Sequence, residues 1–191
     1  MHLDRLRALL FVILVLAAKA VSAQIQPSGP LPGEIKAHEI RLVDGSRTSI
    51  AELKGTVIIL NTWAIWCAPC RMQIPVLNEL VGEFGPDRLR VLGINLGGAD
   101  SNLNSRPEKP SVIQSYKRRM QIKWDLSRSD LQFAELLDRY TARAVVPTTI
   151  VIGADGESKG IFPGAGPNVD VRLRTMIQNL LKPAATGNPP K

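Results

Sequence analysis

Trp66-Cys67-Ala68-Pro69-Cys70 is the stretch from which the rest of the chain is read. It holds the only two cysteines in 191 residues, three positions apart. Val57-Ile58-Ile59-Leu60 lies upstream and runs into Asn61-Thr62-Trp63. A continuous apolar run of this kind predicts a buried parallel strand. Downstream, Leu77, Leu80, Val81 and Phe84 recur at i, i+3, i+4 and i+7, the pattern of a helix with one apolar face. The cysteines therefore sit where a strand hands over to a helix, with Cys67 at the helix N-terminus.

A lone Cys-x-x-Cys can be half of a zinc site, a soft-metal clip or a dithiol redox pair. At a helix N-terminus, unsatisfied N–H groups and the positive end of the dipole favour an anion, so a Cys67 thiolate is expected nearer neutral pH than a free thiol. Cys70 follows one turn later on the same face. Helical spacing puts the two Cα atoms roughly 5–6 Å apart, inside the disulfide window. Cys67 is expected to be the exposed attacking thiol and Cys70 the shielded, resolving one. Pro69 fits the first helical turn, where its missing N–H is no loss. A structural bridge across two residues would restrain the unfolded chain very little, which disfavours a purely stabilising role. Structural zinc needs four ligands, and the only histidines are His2 and His38. Copper(I) is a stronger competitor, because two thiolates suffice for it; Cys67 and Cys70 would be its ligands, with Met72 as a nearby thioether. Otherwise no metal site is expected. His38 is expected at the surface.

The N-terminus reads as an export signal. Arg5 and Arg7 precede the apolar run Ala8–Ala18, and Val21-Ser22-Ala23 offers a cleavage site before Gln24. The run is short for a membrane span, which needs about 20 residues. Removing residues 1–23 takes away Arg5, Arg7, Lys19 and Asp4, leaving 21 basic and 16 acidic side chains, net +5. That mild excess lacks a nucleic-acid motif; its densest cluster, Lys117-Arg118-Arg119, reads as a solvated helix face. Residues 24–33, rich in proline and glycine, read as a flexible leader, and 183–191 as a loose tail. One folded unit is expected over 34–182.

Within that unit, residues 34–55 read as a β-hairpin around Asp44-Gly45, with Ile40, Leu42, Ile50 and Leu53 as its apolar positions. Pro75 lies inside the helix that carries the cysteines and should kink it. Arg90–Ile94 predicts a second central strand, completing a βαβ unit. A polar stretch, 97–110, leads to a helix over 111–121 with Val112, Tyr116 and Met120 on one face. Residues 122–126 read as a short extended piece. Ser129 or Asp130 can cap a helix carrying Phe133, Leu136, Leu137 and Tyr140. Pro147 heads the apolar run Thr148–Ile152, as a proline at the start of a strand can. Asp155-Gly156 turns the chain back through Gly160-Ile161-Phe162, and a last helix presents Leu173, Met176, Ile177 and Leu180.

This order of elements, together with Asn61-Thr62-Trp63-Ala64-Ile65-Trp66-Cys67-Ala68-Pro69-Cys70-Arg71, Pro75 and Val146-Pro147-Thr148-Thr149, resembles the thioredoxin-like superfamily. Within it, the chain is similar to exported thiol–disulfide oxidoreductases of the TlpA/ResA type. The resemblance covers about residues 34–182. It implies an α/β fold, a central mixed sheet flanked by helices, with an N-terminal hairpin and an insertion at about 97–123. It implies a cis Val146–Pro147 bond opposite Cys67, with the Val146 backbone open to a substrate strand and Trp66 flanking the groove. The Ala68-Pro69 dipeptide would tune the reduction potential. Asn61 stands where cytosolic thioredoxins carry an aspartate, and Gln73 where the TlpA-like type often carries a glutamate. Both proton-handling carboxylates are therefore missing.

The resemblance further implies a Cys67/Cys70 dithiol cycle without a separate cofactor, acting on protein disulfides. It implies a periplasmic protein, expected to be monomeric, reset by a membrane-bound thiol electron donor. Cytochrome c maturation or respiratory copper-site thiols would be the setting; a disulfide oxidant is the alternative direction.

Overall fold

Seven consecutive residues, Val57–Trp63, are buried on both faces, so they can only be the middle of a sheet. The computed structural model describes residues 29–97, 108–142 and 145–182. Its elements are α1 (Gly33–Ala37), β1 (Ile40–Arg41), β2 (Arg47–Thr48), a 3-10 turn (Ala51–Leu53), β3 (Val57–Trp63), α2 (Ala68–Phe84) and β4 (Leu89–Asn95). They continue with α3 (Pro110–Arg119), β5 (Asp125–Arg128), α4 (Leu131–Thr141), β6 (Thr148–Ile152), β7 (Ser158–Pro163) and α5 (Pro167–Leu181). The expected signal segment, most of the leader, the tail and the insertion's residues 98–107 lie outside the described residues.

The main sheet has the order β5-β4-β3-β6-β7. β3, β4 and β5 run parallel, while β6 is antiparallel to β3 and β7 to β6, which makes the sheet mixed, as the resemblance implied. Alternation along β3 divides the core in two. Val57, Ile59 and Trp63 face α2, α3 and α5 through Leu77, Leu80, Tyr116, Leu173 and Ile177. Ile58 and Leu60 face α1 and α4 through Ile35, Phe133, Leu136 and Leu137. Each such side chain contributes roughly 1.5–3 kcal/mol on burial, which is why this strand organises both layers.

Local chemistry sets the boundaries. Cys67 caps α2, and Gly85 ends it with φ 73° and an N–H to the Val81 carbonyl at 3.0 Å. The left-handed region is open to glycine without a Cβ penalty. Pro75 sits inside α2, withholding one N–H, yet the helix continues to Phe84. Asp130 caps α4, its carboxylate accepting from the Phe133 N–H at 2.8 Å. Gly93 on β4 leaves room for two neighbours: a Cβ there would stand 2.4 Å from Trp124 Cζ3 and 2.6 Å from Leu126 Cδ2.

Several expectations are corrected. The hairpin is only β1 and β2, and its flanks are helical: Gly33–Ala37 forms α1, while Ile50 and Leu53 belong to a 3-10 turn. The expected leader overlaps the fold, because Leu31 is buried and its N–H donates to Glu157 Oε2 at 3.1 Å. Lys36 also pairs with Glu157. On α3 Tyr116 is buried and Met120 packs against the core, as expected, but Val112 is exposed and Ile113 takes its place. The extended piece expected at 122–126 is β5, shifted to Asp125–Arg128. His38 is not a surface residue. It stacks on Phe133 with centroids 4.4 Å apart, bonds Asp130 at 3.0 Å, and keeps only 13% of its side chain exposed.

Candidate active site

β3 delivers the chain to the C-terminal edge of the sheet, and α2 begins there. Cys67 and Cys70 are joined by a disulfide with S–S 2.02 Å and Cα atoms 5.3 Å apart. Cys67 is the N-cap, and its sulfur accepts from the Cys70 N–H at 3.1 Å. The helix N-terminus thus aims a donor at the sulfur that must carry negative charge after reduction. Ala68 and Pro69 are exposed between the cysteines.

Cys67 was expected to be exposed and Cys70 shielded; in the disulfide form both are buried, Cys67 at 2% and Cys70 at 6% exposure. The cause is tertiary. The loop before β6 lies against Cys67, with the Val146 carbonyl oxygen 3.7 Å from its Sγ. The Val146–Pro147 bond is cis, and Pro147 is buried. This loop is fastened from three sides. The Thr148 N–H donates to Thr62 Oγ1 at 3.0 Å, the Thr148 hydroxyl to the Val145 carbonyl at 2.6 Å, and the Gly164 N–H to the Pro147 carbonyl at 2.7 Å. Trp66 is 39% exposed, and its indole N–H donates to the Gly97 carbonyl at 3.3 Å. Met72 and Val145 are also exposed.

Asn61 and Gln73 lie together beneath the site. Asn61 Nδ2 donates to Gln73 Oε1 at 2.8 Å and to Thr149 Oγ1 at 2.9 Å; Gln73 Nε2 reaches Thr149 Oγ1 at 3.3 Å. All three are buried, and none can ionise. Met72 points outward at 61% exposure, and the described residues hold no group of three or more His, Cys, Asp or Glu suited to a metal.

Three further residues lie in or just before the neighbouring elements β4 and α3. Tyr116 stacks on Trp63 with centroids 5.4 Å apart. Asn95, paired in register with Trp63, is fully buried and accepts the Gly97 N–H at 3.0 Å. Glu108 has a buried carboxyl oxygen, Oε2, without a hydrogen-bond partner. Burial pushes this carboxyl above the usual carboxylate range, while the facing Asn95 amide pulls the other way. Tyr116 stood out in the sequence only as a core position. Glu108 lies in a polar stretch with no periodicity, so its burial had no local signal.

The model of the AhpC/TSA family matches residues 34–159 of this chain. Thioredoxin-like protein YneN of Bacillus subtilis (strain 168) is 27% identical over 130 residues, covering 65% of this chain and 66% of its own. Thiol-disulfide oxidoreductase ResA of the same strain is 25% identical over 146 residues, covering 75% and 71%. The chain thus spans about two thirds of the length of these relatives. Among solved structures, a thiol:disulfide interchange protein of the thioredoxin family from Chlorobium tepidum TLS superposes with TM-score 0.61 at 22% identity. That match covers 84% of this chain and 99% of the other.

Proposed function

Since the chain belongs to the AhpC/TSA family, with a thioredoxin-like fold, we propose that it is a thiol–disulfide oxidoreductase that reduces protein disulfides through Cys67 and Cys70. One observation carries this reading: Cys67 caps α2 while facing the Val146 carbonyl on the cis-proline loop at 3.7 Å. A sulfur held there is stabilised as an anion from one side and meets an extended partner backbone on the other.

In the cycle, the Cys67 thiolate attacks one sulfur of a substrate disulfide. That S–S bond breaks, an intermolecular one forms, and the leaving thiolate takes up a proton. The Cys70 thiol then loses its proton and attacks Cys67 Sγ. The second substrate sulfur leaves and is protonated, so two electrons and two protons have passed to the substrate. The exposed Trp66, Met72 and Val145 offer the substrate apolar contact.

Export to the periplasm fits the N-terminal apolar run, and among the described residues no helix is long and apolar enough to cross a membrane. A membrane-bound thiol donor would return the electrons. Apocytochrome c or copper-site thiols fit as substrates, and the protein would act as a monomer.

Insulin reduction by the full chain tests the activity: Cys67→Ser should abolish it. Tight copper(I) binding without turnover would replace this reading with that of a copper module. The reduction potential tests direction. A value near or below about −250 mV marks a reductant, and one near about −120 mV an oxidant.

A further inference from the structure

The hairpin is fastened to the outer edge of β5. The Val43 N–H donates to the Leu126 carbonyl at 2.9 Å, and Leu42 bridges Ser127 in antiparallel register. Between this hairpin, the end of β5 and the starts of α3 and α4 lies a cleft of about 670 Å³. Its titratable and charged walls are His38, Glu39, Arg41, Arg47, Arg128 and Asp130. Each carboxylate oxygen there already accepts a hydrogen bond. Arg41 Nε donates to Glu39 Oε1 at 2.6 Å, and Arg47 Nη1 donates to Glu39 Oε2 at 3.2 Å. Asp130 takes the Phe133 N–H on one oxygen and His38 Nε2 on the other. The guanidiniums are not saturated, since each carries five N–H donors. Arg41 and Arg47 each spend one on Glu39. Arg128 is exposed, and its side chain has no ion pair or hydrogen bond among the described residues. Three arginines against two carboxylates leave the cleft at net +1, with donors to spare.

The cleft lies at the disulfide end of the sheet. Trp63 pairs in register with Asn95, and Asn95 with Arg128, along the edge where β3 passes into α2. Adjacent strands stand about 4.8 Å apart, so the Arg128 backbone lies about 10 Å from that of Trp63, close behind Cys67 in the chain. A protein docked on Cys67 covers both places, because an ordinary interface takes about 800 Å² from each partner. We propose that this cleft is an exosite that holds an acidic segment of the protein whose disulfide meets Cys67. Arg128 is its main contact, and the Glu39-bridged Arg41 and Arg47 are its second. The inference rests on the proposed reduction of protein disulfides and adds a substrate class to it, proteins with carboxylates a few residues from their cystine. A carboxylate fits the guanidinium fork with two hydrogen bonds. Glu39 already holds two arginines side by side, which lowers the ordering cost of binding. No bond forms or breaks in the cleft; it speeds encounter and holds the substrate, and salt weakens it.

The test is single-turnover reduction, by the pre-reduced full chain, of two peptides that share one cystine loop and a short Gly-Ser linker. One ends in a run of glutamates and the other in an equal run of glutamines. At low salt the glutamate peptide should react about threefold to fivefold faster, the scale of exposed ion pairs, and about 0.5 M sodium chloride should erase the difference. Arg128→Glu should remove most of the preference and leave the glutamine peptide's rate unchanged. Lys123→Glu makes the same charge change at an exposed residue before the other end of β5, and should keep the preference. Equal rates for the two peptides in the wild type overturn the exosite without any variant and leave the activity standing. An equal loss in Arg128→Glu and Lys123→Glu also overturns it, because the attraction would then be to net charge alone. Reduction of neither peptide sinks the proposed activity, and the exosite with it.

Discussion

Asn61 and Gln73 satisfy each other. The amide of the first donates to the carbonyl of the second at 2.8 Å, and the Thr149 hydroxyl accepts from both. The two positions at which proton-handling carboxylates were expected to be missing are thus a neutral hydrogen-bonded pair. A buried carboxylate would need a charged partner or a proton, and these amides need neither.

Gln73→Glu should therefore be costly in a pH-dependent way. The new carboxyl would be buried, Gln73 being 1% exposed, which raises its pKa above the unfolded value. Its form compatible with the fold is the protonated one. Stability close to wild type is expected below the unfolded carboxylate pKa of about 4.3, with loss as pH rises through the folded value. Thermal melts between pH 4 and pH 8 check this; a pH-independent difference from the wild type would contradict it.

Cys70→Ser should trap what Cys67→Ser cannot form. Without the resolving thiol, the mixed disulfide between Cys67 and a substrate persists. Non-reducing gels of the reduced variant mixed with oxidised insulin should show adducts that dithiothreitol releases. Adducts with Cys67→Ser instead would exchange the roles of the two sulfurs.

Gly93→Ala should destabilise the domain by about 1–3 kcal/mol, the usual cost of overpacking. Its Cβ would stand 2.4 Å from Trp124 and 2.6 Å from Leu126, both well-buried side chains. Urea unfolding reads the loss as a lower midpoint. A wild-type midpoint would mean that the two side chains move aside freely.

Asp130→Ala should cost about 1 kcal/mol at pH 7 through loss of the α4 cap. Burial works to raise the Asp130 carboxyl, but the Phe133 N–H and His38 outweigh it, and the net shift is downward. The stabilisation is therefore present above the unfolded pKa of about 3.9 and fades as pH falls through the lower, folded value. The gap between wild type and variant in melting temperature should narrow on acidification; a constant gap would deny the carboxylate its role.

Glu108→Gln should raise the melting temperature at pH 8 relative to wild type and leave it nearly unchanged at pH 4. A carboxyl whose folded pKa is raised contributes most below the unfolded value and becomes a burden once ionised. Calorimetry at the two pH values decides, and a lower melting temperature at pH 8 would mean that Glu108 is held as a stabilising anion.

The parts of this fold that could be read from the residues are those where one short-range pattern decides. Val57–Leu60 is apolar and Thr148–Ile152 β-branched without interruption, and both became parts of inner strands. Asp130 is a capping residue in front of a periodic face, and it caps. What escaped depends on distant chain. Gly33–Ala37 follows a proline- and glycine-rich stretch, but Ile35 is held by the α4 layer, and the segment becomes helical. Val112 and Ile113 are equivalent by composition, and only the packing of α3 on the sheet chooses Ile113. Cys67 is buried by the Val146 loop, 79 residues away. Glu108 is distinguished by its surroundings and by nothing in its local sequence.

The hydrogen bond from the Leu31 N–H to Glu157 bears on how the molecule can be held. β3 and β6 are antiparallel, so Thr148 pairs with Thr62 near the disulfide and Ile152 pairs with Ile58 at the other end. Glu157 lies just beyond that other end, in the turn between β6 and β7. The chain thus enters the domain about 20 Å, the length of one strand, from the sulfurs. Any leash on the N-terminal side pulls on the blunt end, so a molecule grafted to a surface by that route stands with its reactive face outward, within reach of large proteins arriving from the opposite side.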